Sequence, residues 1–207
     1  EDAEISAFAK KSFTKQGMKI MEKAMVKQLD RGKGKVTAHI ELGGKVAQED
    51  FDTVISAVGI VGNTEGLGLE ALGVTVDRTH VTVDEYCRTG VDGIYAIGDA
   101  TCGWMLSHAA SSMSVFAAEN AMGAKNRYPF NHVPRCLWTQ PEMDSVGLSE
   151  EDAEKQGYDV ETGVFPYAIN GLAMVRNQVD GAVKIVTDAR YGEILGVHIV
   201  GSNATEL

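Results

Sequence analysis

The chain has 207 residues, 44% of them hydrophobic, and a formal net charge of −10. A chain of this length has room for one or two domains and can bury a sizeable core. The acidic balance and the lack of a long basic cluster argue against nucleic acid or an anionic membrane as a partner, which leaves small molecules and other proteins.

Neither a membrane span nor an export signal is predicted. The longest nearly apolar run, residues 54–62, is far too short to cross a bilayer, and no signal-peptide pattern opens the chain. The cysteines, Cys87, Cys102 and Cys136, are widely spaced and form no CxxC pair, which is typical of reduced thiols buried for structural reasons. We therefore expect a soluble protein of the cytoplasm, or of the mitochondrial matrix in a eukaryote.

The first 50 residues predict a helix followed by short strands. Apolar side chains recur at near-helical spacing over residues 3–16, and Gly17 is well placed to end that helix. A short strand is expected at residues 18–20. Residues 36–42 alternate apolar and polar side chains, Gly43-Gly44 forms a turn and residues 45–49 return, which predicts a β-hairpin.

Residues 51–58 are mostly apolar and predict a central, buried strand that ends at Gly59. A helix, a β-meander and a buried strand in this order are typical of the second half of a nucleotide-binding α/β domain. The first half of such a domain, with its G-x-G-x-x-G turn, is not in this sequence.

A single carboxylate stands out in the middle of the chain. After a short helix at residues 67–72 and a strand at residues 81–84, the apolar residues 94–97 predict a strand covered on both faces. Gly98 then turns the chain and places Asp99 at the carboxyl end of that strand, where open α/β sheets bind their ligands.

An Ala- and Ser-rich helix is predicted over residues 107–122, so its free N–H groups are expected near Asp99. A carboxylate accepts hydrogen bonds from sugar-alcohol hydroxyls, and helix-end N–H groups favour an electron-rich ring oxygen. The alternative is that Asp99 only caps a turn. His108 lies in the first turn of this helix, whereas the other histidines have no comparable position.

The last third of the chain predicts an α+β domain with an antiparallel sheet. Gly123 and two prolines indicate a boundary near residues 124–132. Strands are expected at residues 136–139 and 144–146, and Ser149 with three acidic residues begins a helix. Three further strands are expected at residues 160–167, 181–187 and 194–200. No Ser-His-Asp or Cys-His constellation and no metal-ligand spacing is present, so neither catalytic nor metal-binding residues are predicted.

Seven segments of this sequence resemble flavin-dependent pyridine nucleotide–disulfide oxidoreductases, in the same order along the chain. They are Ala57-Val58-Gly59, Arg88-Thr89, Gly93-Ile94-Tyr95-Ala96-Ile97-Gly98-Asp99, Met105-Leu106-Ser107-His108, Thr139-Gln140-Pro141-Glu142, Val146-Gly147-Leu148-Ser149-Glu150 and Gly196-Val197-His198-Ile199-Val200-Gly201. The resemblance covers essentially the whole chain. Met-Leu-Ser-His and the closing Ala-Thr-Glu-Leu favour the dihydrolipoamide dehydrogenase branch over glutathione reductase.

The resemblance implies a role for each of several residues. Asp99 would bind the ribitol of FAD, and Met105, Leu106, Ser107 and His108 would lie against the flavin. Gly59 would approach the nicotinamide nucleotide of NAD through its backbone, because a Cβ would keep the two apart. One departure concerns the family's arginine and proline after Val-Gly, which are replaced here by residues 60–62.

The resemblance also implies a fold and a reaction. Residues 1–60 would end a Rossmann-like NAD-binding domain, residues 61–125 would form a central FAD-contacting segment, and residues 126–207 would form a truncated α+β dimerisation domain. The whole enzyme would oxidise dihydrolipoamide to lipoamide and pass the electrons through a disulfide and FAD to NAD. Its partners would be a second copy and the lipoyl domains of 2-oxoacid dehydrogenase complexes.

The first residue is Glu1 rather than Met, and residues 204–207 resemble the beginning of a helix, so both ends of the chain are expected to be cut. The redox-active cysteine pair and the acid-base histidine of the family are expected outside these residues, and the isolated chain is expected to be inactive. Two alternatives stay open. One is a non-catalytic dimerisation or binding module, and the other is a piece of a related NADPH-dependent disulfide reductase.

Overall fold

The computed structural model describes residues 1–101 and 103–207. Cys102, one of the thiols expected to be buried, lies outside the described residues. The chain divides into two compact units, one formed by residues 14–60 and the other by residues 1–13 together with residues 61–207. Within the described residues, no helix combines the length and the apolar character needed to cross a bilayer.

Helix α1 (Ala3–Lys15) confirms the predicted first helix. The carboxylate of Asp2 caps its start by accepting a hydrogen bond from the backbone N–H of Glu4, with an N–O distance of 3.0 Å. Gly17 stops the helix two residues after its last residue, Lys15. Its φ of +92° suits a residue without a Cβ, and its N–H donates to the carbonyl of Thr14.

The unit of residues 14–60 is a three-stranded antiparallel sheet, β1 (Met25–Arg31), β2 (Val36–Leu42) and β3 (Lys45–Phe51), in the order β1-β2-β3. The predicted hairpin is confirmed, and the positive φ angles of Gly43 and Gly44 match the right-handed twist of the strands that they join. Strand β1 was not predicted, because its side chains are exposed and follow no clear alternation.

Two strands predicted for this unit are wrong. Residues 18–20 and residues 52–60 contain no strand, and Ile55 and Val58 are 87% and 94% exposed. An apolar run becomes a strand only where a second backbone pairs with it, and neither segment has such a partner among the described residues. The predicted burial of residues 51–58 therefore fails, and Phe51, which does lie at the end of β3, is exposed as well.

The central part of the larger unit has little regular structure before its helix. It contains a 3-10 turn at Glu70–Leu72 and the two-residue strands β4 (Val76–Asp77) and β5 (His80–Val81). A second 3-10 turn follows at Gly98–Ala100. The helix predicted at residues 67–72 is thus only a three-residue 3-10 turn. The strand predicted at residues 81–84 is also shorter than expected, because the β4–β5 pairing ends after two residues.

The buried strand predicted at residues 94–97 is also wrong. Only Tyr95 pairs with another segment, in a single antiparallel bridge to Arg88, and all four residues are half-buried. The chain reverses between Thr89 and Ile94, where the Thr89 N–H donates to the Ile94 carbonyl. The segment is therefore one arm of an irregular turn rather than a strand with neighbours on both sides.

Helix α2 (Ser107–Ala121) confirms the predicted helix and its buried face. Ala109, Met113 and Ala117 pack into a core that is completed by residues before and after the helix, Cys87, Tyr128 and Val133. The ring of Phe116 meets Tyr128 edge to face, with centroids 5.3 Å apart. A 3-10 turn at Phe130–His132 leads from this core to the last domain.

The last domain is the predicted antiparallel sheet. Its strands are β6 (Glu142–Gly147), β7 (Val160–Pro166), β8 (Ala182–Asp188) and β9 (Ile194–Gly201), in the order β6-β9-β8-β7. Helix α3 (Glu150–Lys155) begins after Ser149, whose Oγ accepts from the N–H of Asp152 as expected, and the short helix α4 (Gly171–Val175) follows β7. The strand predicted at residues 136–139 forms only one bridge, between Leu137 and Met143.

Helix α1 covers the inner face of this sheet. Ile5 and Ala9 pack on Ala182 of β8 and Val200 of β9 in a second apolar cluster. Next to this cluster the ammonium of Lys184 is buried.

The Lys184 ammonium pairs with the carboxylates of Asp2 at 3.1 Å and Glu150 at 2.5 Å. Burial disfavours the charged lysine, but its hydrogen bonds to Glu150 and Asp2 outweigh that cost and raise the pKa of Lys184.

Candidate functional site

The Asp99 carboxylate stands on a turn with a well-supported backbone. The turn, Gly98–Ala100, begins at Gly98 with a φ of +66°. Thr101 closes it by donating to the Gly98 carbonyl from both its N–H, at 2.9 Å, and its Oγ1, at 2.8 Å. Thr101 is fully buried and bridges to Val81, whereas Asp99 is exposed. The carboxylate is therefore held at the surface by a buried neighbour.

The same turn sits against the first turn of α2. A Cβ placed on Gly98 would lie 3.0 Å from the Cβ of Ala110. That distance is shorter than ordinary van der Waals contact, so small residues at both positions permit the approach. Asp99 is consequently adjacent to the start of α2, as its sequence position suggested.

The start of α2 has no side-chain cap. Leu106 occupies the N-cap position with an extended backbone, and its side chain cannot accept a hydrogen bond. The carbonyl of Leu106 accepts from the N–H of Ala110, which leaves the first-turn N–H groups at the positive end of the helix dipole. Such a helix start favours an electron-rich ligand atom.

The four residues that begin at Met105 differ in their surroundings. Met105 and Ser107 are exposed, whereas Leu106 is half-buried and packs against the α2 core. The Nε2 of His108 lies 2.7 Å from the carbonyl oxygen of Pro134, so this nitrogen carries a proton that it donates to the carbonyl. The imidazole is therefore engaged with the segment that leads to the last domain.

Gly59 belongs to the unit of residues 14–60. Its φ is +116°, and no atom lies within 4 Å of the position that a Cβ would occupy. The backbone conformation, rather than crowding by neighbouring atoms, is therefore what requires glycine.

The two described cysteines, Cys87 and Cys136, are free and buried. Burial raises the pKa of the Cys87 thiol, and the negative charge of Asp84 raises it further. Burial likewise raises the pKa of Cys136, with Asp144 adding to the effect. Thiols in such surroundings are poor nucleophiles, which supports their structural role. Among residues 1–101 and 103–207, no three His, Cys, Asp or Glu side chains are grouped to hold a metal ion.

Sequence reasoning missed Trp104 and Arg135. The Nε1–H of Trp104 donates to the carbonyl of Phe130 at 2.9 Å, and the guanidinium of Arg135 lies 5.1 Å from the centre of the indole. The only signal in the sequence was a bulky aromatic residue directly before Met105, because the partner residues lie about 30 positions away.

Comparison with known families gives matches over most of the chain. Residues 1–114 match the model of the pyridine nucleotide-disulphide oxidoreductases, and residues 133–207 match the dimerisation domain of the same group. Relatives with similar sequences include the dihydrolipoyl dehydrogenases of Rhizobium etli and Zymomonas mobilis, which are 46% and 42% identical over 210 aligned residues. The whole chain aligns, and it covers 44% and 45% of these relatives.

Solved structures with a similar fold include LpdA from Mycobacterium tuberculosis, with a TM-score of 0.89 and 27% identity. The HOCl-induced flavoprotein disulfide reductase RclA from Escherichia coli gives a TM-score of 0.86 and 26% identity. All of this chain is covered in both comparisons, together with 45% and 47% of the two structures. The chain thus spans a little under half the length of the proteins that it matches.

Proposed function

The chain belongs to the pyridine nucleotide-disulphide oxidoreductase family, and on that premise we propose that it is part of a flavoprotein dihydrolipoyl dehydrogenase. The whole enzyme oxidises dihydrolipoamide to lipoamide and passes the electrons through a disulfide and FAD to NAD. The names of the curated relatives support this reaction. The division into an NAD-binding part (1–60), an FAD-contacting part (61–125) and a dimerisation part (126–207) belongs to the same proposal.

One observation carries the proposal most directly: an exposed carboxylate, Asp99, stands beside the uncapped start of a 15-residue helix. This donor and acceptor set suits FAD. Asp99 would accept hydrogen bonds from ribitol hydroxyls, and the first-turn N–H groups of α2 would favour an electron-rich edge of the flavin ring. FAD, when bound, supplies a reversible carrier of two electrons.

Residues 105–108, at the start of α2, would orient the flavin ring. Met105 offers an exposed, polarizable apolar surface on which a planar ring can rest. Ser107 and His108 contribute the first N–H groups of the helix, and the imidazole of His108 fixes the helix start through its hydrogen bond to the Pro134 carbonyl. Leu106 anchors the segment in the α2 core.

Gly59 provides the approach for NAD. The space around its Cβ position is open, so a nicotinamide nucleotide can lie directly against the backbone there. NAD supplies the hydride acceptor.

A second copy of the chain and lipoyl domains of 2-oxoacid dehydrogenase complexes are the proposed partners. The match of residues 133–207 to a dimerisation domain supports the homodimer. So does a set of large apolar side chains exposed on and after β7: Phe165, Ile169, Leu172, Met174 and Val175. Lipoyl domains follow from the reaction alone. The proposed location is the cytoplasm, or the mitochondrial matrix in a eukaryote.

A related disulfide reductase is the second candidate, because RclA shares the fold over the whole chain. Steady-state assays of the native-length protein separate the two. Turnover of dihydrolipoamide with NAD supports the first candidate, whereas reduction of another disulfide with NADPH and no turnover of dihydrolipoamide supports the second.

The Asp99→Ala variant of the native-length protein tests the ribitol role. Because Asp99 is exposed, we expect a folded protein that retains at least tenfold less FAD, which corresponds to losing about 1.4 kcal/mol or more of binding free energy. The measurement is the ratio of flavin to protein after gel filtration. Asp92→Ala, at another exposed carboxylate on a neighbouring turn, is the control and should retain FAD fully. Equal flavin content in the two variants would refute the assignment.

A further inference from the structure

The segment just before α2 is attached to the last domain by an aromatic side chain. The indole Nε1–H of Trp104 donates to the Phe130 carbonyl, 26 residues further along the chain. At the preceding position, a Cβ on Gly103 would lie 3.4 Å from the ring of Phe130, so the two segments are in close contact. Residues 103 and 104 are thus held against the turn that leads into the β6–β9 sheet.

Arg135 connects the indole of Trp104 to that sheet. Its Nε donates to the Oγ of Ser145 at 3.0 Å and its Nη2 to the carbonyl of Gly147 at 3.3 Å, both on β6. Its backbone N–H donates to the Ser145 carbonyl at 2.8 Å. Two hydrogen bonds therefore fix the guanidinium that lies over Trp104, and a third fixes the Arg135 backbone. A fixed cation is an effective partner for an aromatic ring.

His108 provides a second attachment, three residues after Met105. Its ring donates to the Pro134 carbonyl, one residue before Arg135. In sequence, the exposed Met105 therefore lies between Trp104 and His108, whose side chains both contact residues 130–135.

We propose that Trp104 is a positioning residue that, with Arg135 and His108, couples the flavin-contacting residues 105–108 to the dimerisation sheet. The flavin role in this inference rests on the proposed function. The contacts of Trp104 with Phe130 and Arg135, and of His108 with Pro134, which we call the brace, are a property of this chain. No β-strand pairs with residues 104–108 among the described residues, so these side-chain contacts fix the position of Met105. Trp104 acts on the flavin through Met105 and the start of α2, and it takes no part in electron transfer.

A cavity of about 310 Å³ opens beside the indole, lined in part by Trp104, Val133, Arg135 and Leu148. Truncation at Trp104 would enlarge this cavity and remove the hydrogen bond to the Phe130 carbonyl. The segment would then be held by the His108 hydrogen bond and by the packing of Leu106 on the α2 core.

Hydrogen exchange of the native-length protein, prepared without FAD, tests the brace. In Trp104→Ala we expect the amides of residues 110–113, which close the first turns of α2 as Ala110 does by bonding the Leu106 carbonyl, to exchange about five- to thirtyfold faster, while those of β8 and β9 keep their protection. Trp104→Phe keeps an aromatic face for Arg135 but lacks the donor, so its exchange should be intermediate. Trp138→Ala is the matched control, because this second tryptophan is 66% exposed and lies outside the brace. Unchanged protection of residues 110–113 in Trp104→Ala would overturn the inference.

Reconstitution with FAD tests the positioning role. We expect Trp104→Ala to release FAD about five- to thirtyfold faster and to alter the visible circular dichroism of the bound flavin, with partial recovery in Trp104→Phe. A faster exchange of residues 110–113 together with wild-type FAD release and an unaltered flavin spectrum would overturn positioning. If the wild-type protein bound no FAD, the proposed function would fail, while the exchange data would still decide on the brace.

Discussion

The β6–β9 sheet and the segment of residues 94–108 are stabilised in different ways, although they belong to the same compact unit. The sheet has continuous antiparallel ladders and a buried ion pair beneath them. Among its described residues, the segment of residues 94–108 has one bridge at Tyr95, one at Thr101, several turns and the first two residues of α2. The sheet is therefore complete without any ligand, whereas the segment presents Asp99 and Met105 to the surface. This difference predicts where substitutions change stability and where they change ligand binding.

The largest effect is expected at Lys184, which is 2% exposed. Lys184→Met leaves the carboxylates of Asp2 and Glu150 without their cation, and breaking a buried pair in this way costs roughly 3–5 kcal/mol of unfolding free energy. Urea unfolding measures it. Lys155→Met, at an exposed lysine that also pairs with two carboxylates, should leave stability unchanged. Equal effects of the two substitutions would show that the sheet does not depend on its buried charge.

The same ion pair predicts how stability depends on pH. Burial opposes the ionisation of Asp2, but the hydrogen bond and charge of Lys184 outweigh it and lower the pKa of Asp2 from its ordinary value of 3.8. A lowered pKa stabilises the folded state above pH 3.8, and this stabilisation disappears as the pH falls through the folded-state value. The raised pKa of Lys184 stabilises the folded state fully below 10.5.

The stability difference between wild type and Lys184→Met should therefore be largest from neutral pH to about pH 10. It should shrink as the pH falls through the pKa that Asp2 has in the variant, which lies above that of the wild type because Lys184 no longer offsets the burial of the carboxylate. Thermal unfolding followed by circular dichroism across this range is the measurement. A difference that stays constant down to about pH 2 would show that protonation of Asp2 does not govern it.

A smaller effect is expected at Gly98, in the segment that presents Asp99. Gly98→Ala combines a strained φ of +66° with a contact of 3.0 Å to the Cβ of Ala110, so we expect a loss of about 2–3 kcal/mol and weaker FAD retention. Gly93→Ala is the matched control. Its φ of +76° imposes the same strain, but no atom lies within 4 Å, so it should cost about 1 kcal/mol and keep FAD. If both variants lose the same stability, the contact with Ala110 is not what fixes the turn.

The elements that could be predicted from the sequence are those whose signals are local. Gly17, the Gly43-Gly44 turn and the Ser149 cap mark the ends of elements that the structure contains, because each works through bonds to residues a few positions away. The alternation in β8 likewise reflects one buried face. Residues 51–58 and 94–97 misled the prediction, since apolar composition cannot reveal whether a second backbone lies alongside.

The candidate site was predictable only in part, for the same reason. Asp99 and the start of α2 could be found because a glycine turn and a helix start are readable locally, whereas Met105 and Leu106 were indicated only by the resemblance to the family. Lys184 with Asp2, and Trp104 with Arg135, were not found, because their partners are 182 and 31 positions apart (184 − 2 and 135 − 104). The proximity of such pairs is decided by tertiary packing rather than by sequence spacing.

The smallest effect is expected at Thr101, whose hydroxyl donates to the Gly98 carbonyl from a fully buried position. Thr101→Val keeps the shape and removes that donor. Because the backbone N–H of Thr101 still satisfies the carbonyl, the cost should be only about 0.5–1.5 kcal/mol. Thr101→Ser keeps the donor and loses a methyl group instead. If the hydroxyl holds the turn under Asp99, urea unfolding will show a loss in both variants, but FAD retention will fall only in Thr101→Val. A fall confined to Thr101→Ser would mean that packing of the methyl group, not the hydrogen bond, fixes the position of Asp99.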